Sequence, residues 1–216
     1  MLYNLCLFDL DGVLTDSGEG ITKAVRYALN SFGVEVASLS ELTKFVGPPL
    51  RDAFREFYNF SDADAEEAIR KYREYYSKTG IWENVLYDGI VDALARLKDS
   101  GIKIVMATSK PTIFAEKIAV HFGLKQYLDF IAGSELDNSR SRKDEIINYA
   151  LSILDPERKM LPVMIGDRKH DIIGAQKMEI DSIGVTWGYG SRSELEEAKA
   201  TKIVDSPNEL CRLILG

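Results

Sequence analysis

From residue 89 onward, short apolar runs alternate with longer segments whose apolar residues recur at helical spacing. Strands are predicted over 102–107, 129–133, 162–166, 181–186 and 202–204. Helices are predicted over 90–100, 112–122, 143–154, 171–178, 193–200 and 207–215. Strands separated by helices cannot close as tight hairpins. They pair in parallel through helical crossovers, and the helices cover both faces of the sheet. The unbroken apolar character of runs such as Val163-Met164-Ile165 fits strands buried on both sides.

The same sheet claims the N-terminus, where Leu5-Cys6-Leu7-Phe8 has the length and composition of a buried strand. Between the two comes a stretch, 18–80, that reads as helix only. Ile21, Val25, Ala28, Leu29 and Phe32 share a helical face. Ser40 is a candidate cap for a short helix, Pro48-Pro49 breaks the chain, and Ser61 or Asp62 caps a longer helix rich in tyrosine. The expected fold is therefore α/β: a Rossmann-like parallel sheet core, 1–15 with 83–216, and an inserted all-helical cap domain, 16–82. Ligands of open α/β sheets bind beyond the carboxyl ends of the strands. A module inserted there is expected to act as a lid or specificity cap.

The first strand runs into Asp9-Leu10-Asp11-Gly12-Val13-Leu14-Thr15-Asp16-Ser17. Residues i and i+2 of an extended chain share a face, so Asp9 and Asp11 are expected to point into one space. Adjacent carboxylates need a proton or a cation between them, and oxygen donors suit a hard cation. Gly12 permits a sharp turn or a close backbone approach. Asp-Gly is also an ordinary turn signal, so later segments have to supply the partners.

Three do so at the same sheet edge. Thr108-Ser109-Lys110 follows a strand and offers a hydroxyl and backbone N–H groups for a phosphate, although such residues also cap helices. Gly166-Asp167-Arg168-Lys169-His170-Asp171 places two carboxylates at a strand-to-helix turn, where both can reach one cation. His170 reads as an exposed neutral loop residue, and His121 as a helix-terminal one. Arg140, Arg142 and Lys143 compete for a charge-neutralising role.

The chain has 216 residues and a net charge of −7, which argues against a nucleic-acid binder. No apolar run reaches membrane-spanning length, and no signal peptide is apparent, so a cytoplasmic protein is expected. Cys6 and Cys211 read as reduced, buried hydrophobes. Monomer and homodimer both remain open.

The motifs D-x-D-G-x-L-x-D-S at Asp9–Ser17 and G-D-x-x-x-D at Gly166–Asp171 resemble those of the haloacid dehalogenase-like hydrolase superfamily. The resemblance runs the length of the chain and is to the branch with a helical cap between the first two motifs, as in phosphoglycolate phosphatases. It implies an Mg²⁺-dependent phosphatase of small phosphorylated metabolites. Asp9 would be the nucleophile that forms an aspartyl-phosphate, and Asp11 the general acid and base. Thr108, Ser109 and Gly12 would hold the phosphate, and Lys143 would neutralise it. Asp9, Asp11 through its carbonyl, Asp167 and Asp171 would hold the metal. Gly47 and Arg51 of Phe45-Val46-Gly47-Pro48-Pro49-Leu50-Arg51 would face the substrate. Many relatives follow the lysine with proline, whereas Asp144-Glu145 follows here. The alternatives are a 5′-nucleotidase or pyrophosphatase of the same family, a phosphosugar mutase of the β-phosphoglucomutase kind, and a non-catalytic regulatory member. A dehalogenase would lack the acid at Asp11, and a phosphonatase would need a distinctive cap lysine; Lys23 and Lys44 are present, but nothing singles either out.

Overall fold

A computed structural model describes residues 2–137 and 139–216. By its internal contacts the chain falls into two compact units: the residues up to Thr15 with Leu86–Gly216, and Asp16–Val85.

The first unit is built on a six-stranded sheet, all parallel, in the order β5-β4-β1-β6-β7-β8. Its strands are β1 (Leu5–Phe8), β4 (Lys103–Pro111), β5 (Phe130–Ser134), β6 (Pro162–Gly166), β7 (Asp181–Val185) and β8 (Lys202–Val204). Helices α4 (Ile90–Asp99), α5 (Thr112–His121), α6 (Lys143–Leu154), α7 (Lys169–Lys177), α8 (Arg192–Glu197) and α9 (Pro207–Leu215) connect and follow them. β1 is central: Leu5–Phe8 are all buried and pair with β4 on one side and β6 on the other. Alternate residues serve alternate faces. Leu5, Leu7, Val105, Ala107 and Met164 form one face and meet Ile146, Ile147, Ala150 and Leu151 of α6. The sequence order runs outward from β1 in both directions, β4 to β5 and β6 to β8, so the strand order reverses at β1. Crevices form at such a reversal.

The strands predicted from apolar runs all occur, β1, β6 and β8 with the expected ends and β4, β5 and β7 with shifted ones. The strand expected over 102–107 continues through Pro111, with a pairing irregularity between Ala107 and Pro111. The helix expected from residue 171 starts at Lys169. Two short strands, β2 (Thr15–Asp16) and β3 (Val85–Leu86), pair with each other. With two residues each, they carry no periodicity to read.

The second unit is helical: α1 (Gly18–Asn30), a 3-10 segment (Leu39–Phe45), α2 (Leu50–Tyr58), α3 (Asp62–Tyr76) and a 3-10 turn (Gly80–Trp82). Ser61 caps α3, its hydroxyl accepting from the Asp64 N–H at 3.1 Å. The cap expected at Ser40 is instead Ser38, whose hydroxyl accepts from the Ser40 N–H. The N3 position relative to Ser38 is Glu41, which returns the bond to the Ser38 N–H and so completes a reciprocal cap. Phe45 contacts Phe54, Phe57 and Tyr58 edge-on or tilted. Gly20 and Gly80 allow two segments to touch, since a Cβ on Gly20 would lie 1.9 Å from the Gly80 oxygen. Tyr72 and Tyr76 are buried and stacked, which is a packing role. Lys23 is held between Glu19 and Glu83, and Lys44 lies over the Phe57 ring, so neither is singled out as a Schiff-base lysine.

Candidate active site

Backbone geometry brings the chemistry to the carboxyl ends of β1, β4 and β6. β1 ends at Phe8, and the Asp9 N–H still bonds to the Ile165 carbonyl of β6 at 2.9 Å. That bond fixes Asp9 beside the neighbouring strand's end. The chain then folds tightly, with the Leu14 and Thr15 N–H groups both donating to the Leu10 carbonyl. β6 delivers Asp167, and the first turn of α7 delivers Asp171, whose Oδ2 accepts from the Arg168 N–H at 3.1 Å. An acid at this third helical position satisfies an orphan donor of the helix start.

Asp9, Asp167 and Asp171 are buried, and one carboxylate oxygen from each lies within 4.8 Å of the others. Lys143 enters this cluster from the first turn of α6. Its Nζ is 2.9 Å from Asp9 Oδ1 and 2.8 Å from Asp171 Oδ1, and it donates to the Ala107 carbonyl at 3.0 Å. A lysine at a helix N-terminus opposes the helix dipole, and a buried one pays for desolvation as well. Its two carboxylate partners, with the Ala107 carbonyl, compensate for both. Gly174 of α7 makes the room, since a Cβ there would lie 2.8 Å from the Lys143 Cβ.

The electrostatics follow from burial. Desolvation pushes the Asp9 carboxyl up to about 7; Lys143 opposes this, while Asp171 and Asp11 add to it. Asp167 is held well above the usual carboxylate range by burial and by the charges of Asp171 and Asp9. Burial works against the Lys143 ammonium, but Asp171 and Asp9 outweigh it and hold its pKa above the ordinary value. One ammonium faces three carboxylates, so ionisation of all three leaves the cluster short of positive charge. Asp167 Oδ1 is buried and accepts no hydrogen bond. A buried, all-oxygen donor set with an orphaned carboxylate oxygen is what a hard divalent cation fits.

Asp167 is further fixed by a segment that sequence reasoning missed. The Tyr189 N–H donates to Asp167 Oδ2 at 2.7 Å. A Cβ on Gly188 would fall 2.4 Å from the same oxygen, and one on Gly12 only 2.2 Å from it. Gly12 also has φ +86°, a left-handed conformation. The signal was Trp187-Gly188-Tyr189-Gly190 after β7, two glycines where a backbone must come close.

The other predicted residues are placed as follows. Thr108 is buried in β4 just past the regular pairing that ends at Ala107, and its Oγ1 accepts from the Lys110 N–H. Ser109 is half-buried beside it. Asp11 is close enough to raise Asp9, yet its carboxylate is paired with Lys110, 2.9 Å away, and is not part of the three-carboxylate cluster. β1 stops at Phe8, so strand alternation does not carry through to Asp11, yet Asp11 still lies near enough to Asp9 for its charge to be felt there. Among the three cations considered, Lys143 is the one in the cluster. Arg140 pairs with Glu135 and stacks on Tyr149, and Arg142 pairs with Asp144 and Glu145. His170 is half-buried, not exposed, and burial lowers its pKa. Gly47 (φ +107°) and Arg51 belong to the helical unit, where Arg51 pairs with Glu66. Cys6 and Cys211 are free and buried. No helix among the described residues is long and apolar enough to cross a membrane.

Comparison with known proteins bears on this geometry. The haloacid dehalogenase-like hydrolase family matches residues 6–185. A 5′-nucleotidase of Pseudomonas aeruginosa is 43% identical over 201 residues, covering 92% of this chain and 90% of that protein. Tyrosine-protein kinase PtkA of Mycobacterium tuberculosis is 41% identical over 199 residues, covering 92% of this chain and 67% of that protein. The crystal structure of a predicted phosphatase from Clostridium acetobutylicum superposes with a TM-score of 0.95 at 50% identity, covering 100% of this chain and 99% of that one.

Proposed function

Because the chain belongs to the haloacid dehalogenase-like hydrolase family, we propose that it is an Mg²⁺-dependent phosphatase that cleaves small phosphate monoesters through an aspartyl-phosphate on Asp9. The observation that carries this reading is the buried convergence of Asp9, Asp167 and Asp171 around Lys143. The carboxylates of Asp9, Asp167 and Asp171, with the Asp11 carbonyl, would hold Mg²⁺. When bound, the ion supplies charge compensation for the phosphate and for the carboxylates themselves.

A carboxylate oxygen of Asp9 attacks phosphorus, an O–P bond forms, and the bond from phosphorus to the leaving oxygen breaks. Asp11 gives that oxygen its proton. Water then attacks the acyl phosphate and loses a proton to Asp11, which releases inorganic phosphate and frees Asp9. Lys143 orients Asp9 and offsets the charge that the phosphoryl group brings. The Thr108 hydroxyl and the Ser109 N–H are the neutral donors for the phosphate oxygens. Gly47 and Arg51 would contribute to substrate choice. We expect a cytoplasmic enzyme acting on a phosphorylated metabolite.

Phosphoglycolate and 5′-nucleotides are the substrates to test first, the latter because of the Pseudomonas relative's name. The name of the mycobacterial relative favours a second reading, transfer of the phosphoryl group to a protein tyrosine. Both begin with a phosphorylated Asp9 and differ in the acceptor. Phosphate release from a panel of monoesters, with Mg²⁺ and with chelator, tests the proposal. Metal-dependent release of phosphate to water supports it. Release that persists in chelator, or none from any ester, counts against it.

A further inference from the structure

Lys110 has no role in the reading above, yet it is a buried cation at the same strand edge. It is 8% exposed, and its Nζ lies 2.9 Å from Asp11 Oδ1. The side chains of this pair are 5% and 10% exposed. A buried ammonium is costly unless it is paired, and the fold places this one with care. Pairing of β4 with β5 is regular up to Ala107–Ala132 and resumes at Pro111–Ser134. The four-residue step on β4 faces a two-residue step on β5, so Thr108–Lys110 hold more chain than the ladder uses. Such irregularities re-aim side chains next to active sites. The Lys110 N–H is in turn fixed on Thr108 Oγ1 at 3.2 Å. The two lysines divide the carboxylates between them: Lys143 takes Asp9 and Asp171, and Lys110 takes Asp11.

We propose that Lys110 is a positioning residue, which holds the Asp11 carboxyl group at the leaving-group side of the site. It rests on the reading of Asp11 as the acid for the leaving oxygen. A group held there matters in proportion to how badly the leaving oxygen needs a proton. An alkoxide needs one; p-nitrophenolate does not.

The test is kcat/KM, which reports steps through departure of the leaving group, for an alkyl phosphate and for p-nitrophenyl phosphate. Wild type, Lys110→Met, Lys110→Arg and Asp11→Asn are compared. Acid catalysis contributes roughly 10²–10⁴-fold. Lys110→Met is therefore expected to lose roughly tenfold or more on the alkyl ester, with much less change on the aryl ester and partial recovery in Lys110→Arg. An equal loss on both esters would mean a merely structural role and overturn the proposal, as would no loss on the alkyl ester. Asp11→Asn separates the two layers. If it shows the leaving-group selectivity while Lys110→Met does not, the acid assignment stands and the positioning role falls. If Asp11→Asn shows none, the acid assignment itself falls, and the positioning role with it. Retained aryl-ester turnover in Lys110→Met shows that the variant is folded.

Discussion

The Lys143 ammonium and the Asp9 carboxylate form an ion pair at 2.9 Å with side chains 3% and 4% exposed. A second carboxylate, Asp171, lies 2.8 Å from the same ammonium. Removing one member of a buried pair leaves charge without compensation and typically costs about 3–5 kcal/mol. Lys143→Met is therefore expected to lower the melting temperature of the metal-free protein markedly and to abolish turnover. Calorimetry in chelator checks the first expectation. A melting temperature equal to wild type would show that Lys143 does not compensate the cluster.

A pH dependence follows from Asp9. Its carboxyl is raised to about 7 in the fold, against an ordinary value near 3.8 when unfolded. The folded state thus binds the proton more tightly. The contribution is fully present below the unfolded value and is lost as pH rises through the folded one. Metal-free protein is expected to melt at progressively lower temperature between pH 4 and about 7 from this group. Mg²⁺ compensates the ionised cluster, so it is expected to raise the melting temperature more at pH 8 than at pH 5. Thermal melts with Mg²⁺ and with chelator at both pH values measure this. An Mg²⁺ effect that is absent, or larger at pH 5, would contradict it.

Gly12 offers a local test of the Asp167 cradle. Its φ of +86° disfavours any Cβ, and an added one would lie 2.2 Å from Asp167 Oδ2. Loss of a residue that orients a metal ligand typically costs roughly 10–100-fold in metal affinity, and Gly12→Ala is expected in that range. Gly33→Ala is the control, since Gly33 shares a positive φ but has nothing within 4 Å of the added carbon. Calorimetric titration of Mg²⁺ into both variants should weaken binding only in Gly12→Ala. Equal affinities would remove Gly12 from the cradle.

What the sequence disclosed depended on how local the cause was. β1, β4 and β6 were readable because strands buried on both faces are runs of apolar residues. Asp9 and Asp167 were readable because they stand at the ends of those runs. Side-chain type alone left Lys143 level with Arg140 and Arg142, and only the family resemblance chose it, since its position is decided by Asp9 and Asp171, which lie far away along the chain. Lys110 was passed over because its partner, Asp11, lies 99 residues earlier. Tyr189 serves Asp167 through a backbone N–H, which no side-chain motif announces. Ser38 and Ser40 are equally good caps by type, and the local backbone chooses between them.

The most direct measurement is to trap the intermediate. Enzyme turning over a phosphate monoester in Mg²⁺ is quenched in acid and reduced with borohydride, which converts an acyl phosphate to the alcohol. The site of conversion is then located by peptide mass spectrometry. The account predicts conversion at Asp9, dependent on substrate and absent in Asp9→Asn. Steady turnover with no conversion, or conversion at another carboxylate, would contradict it.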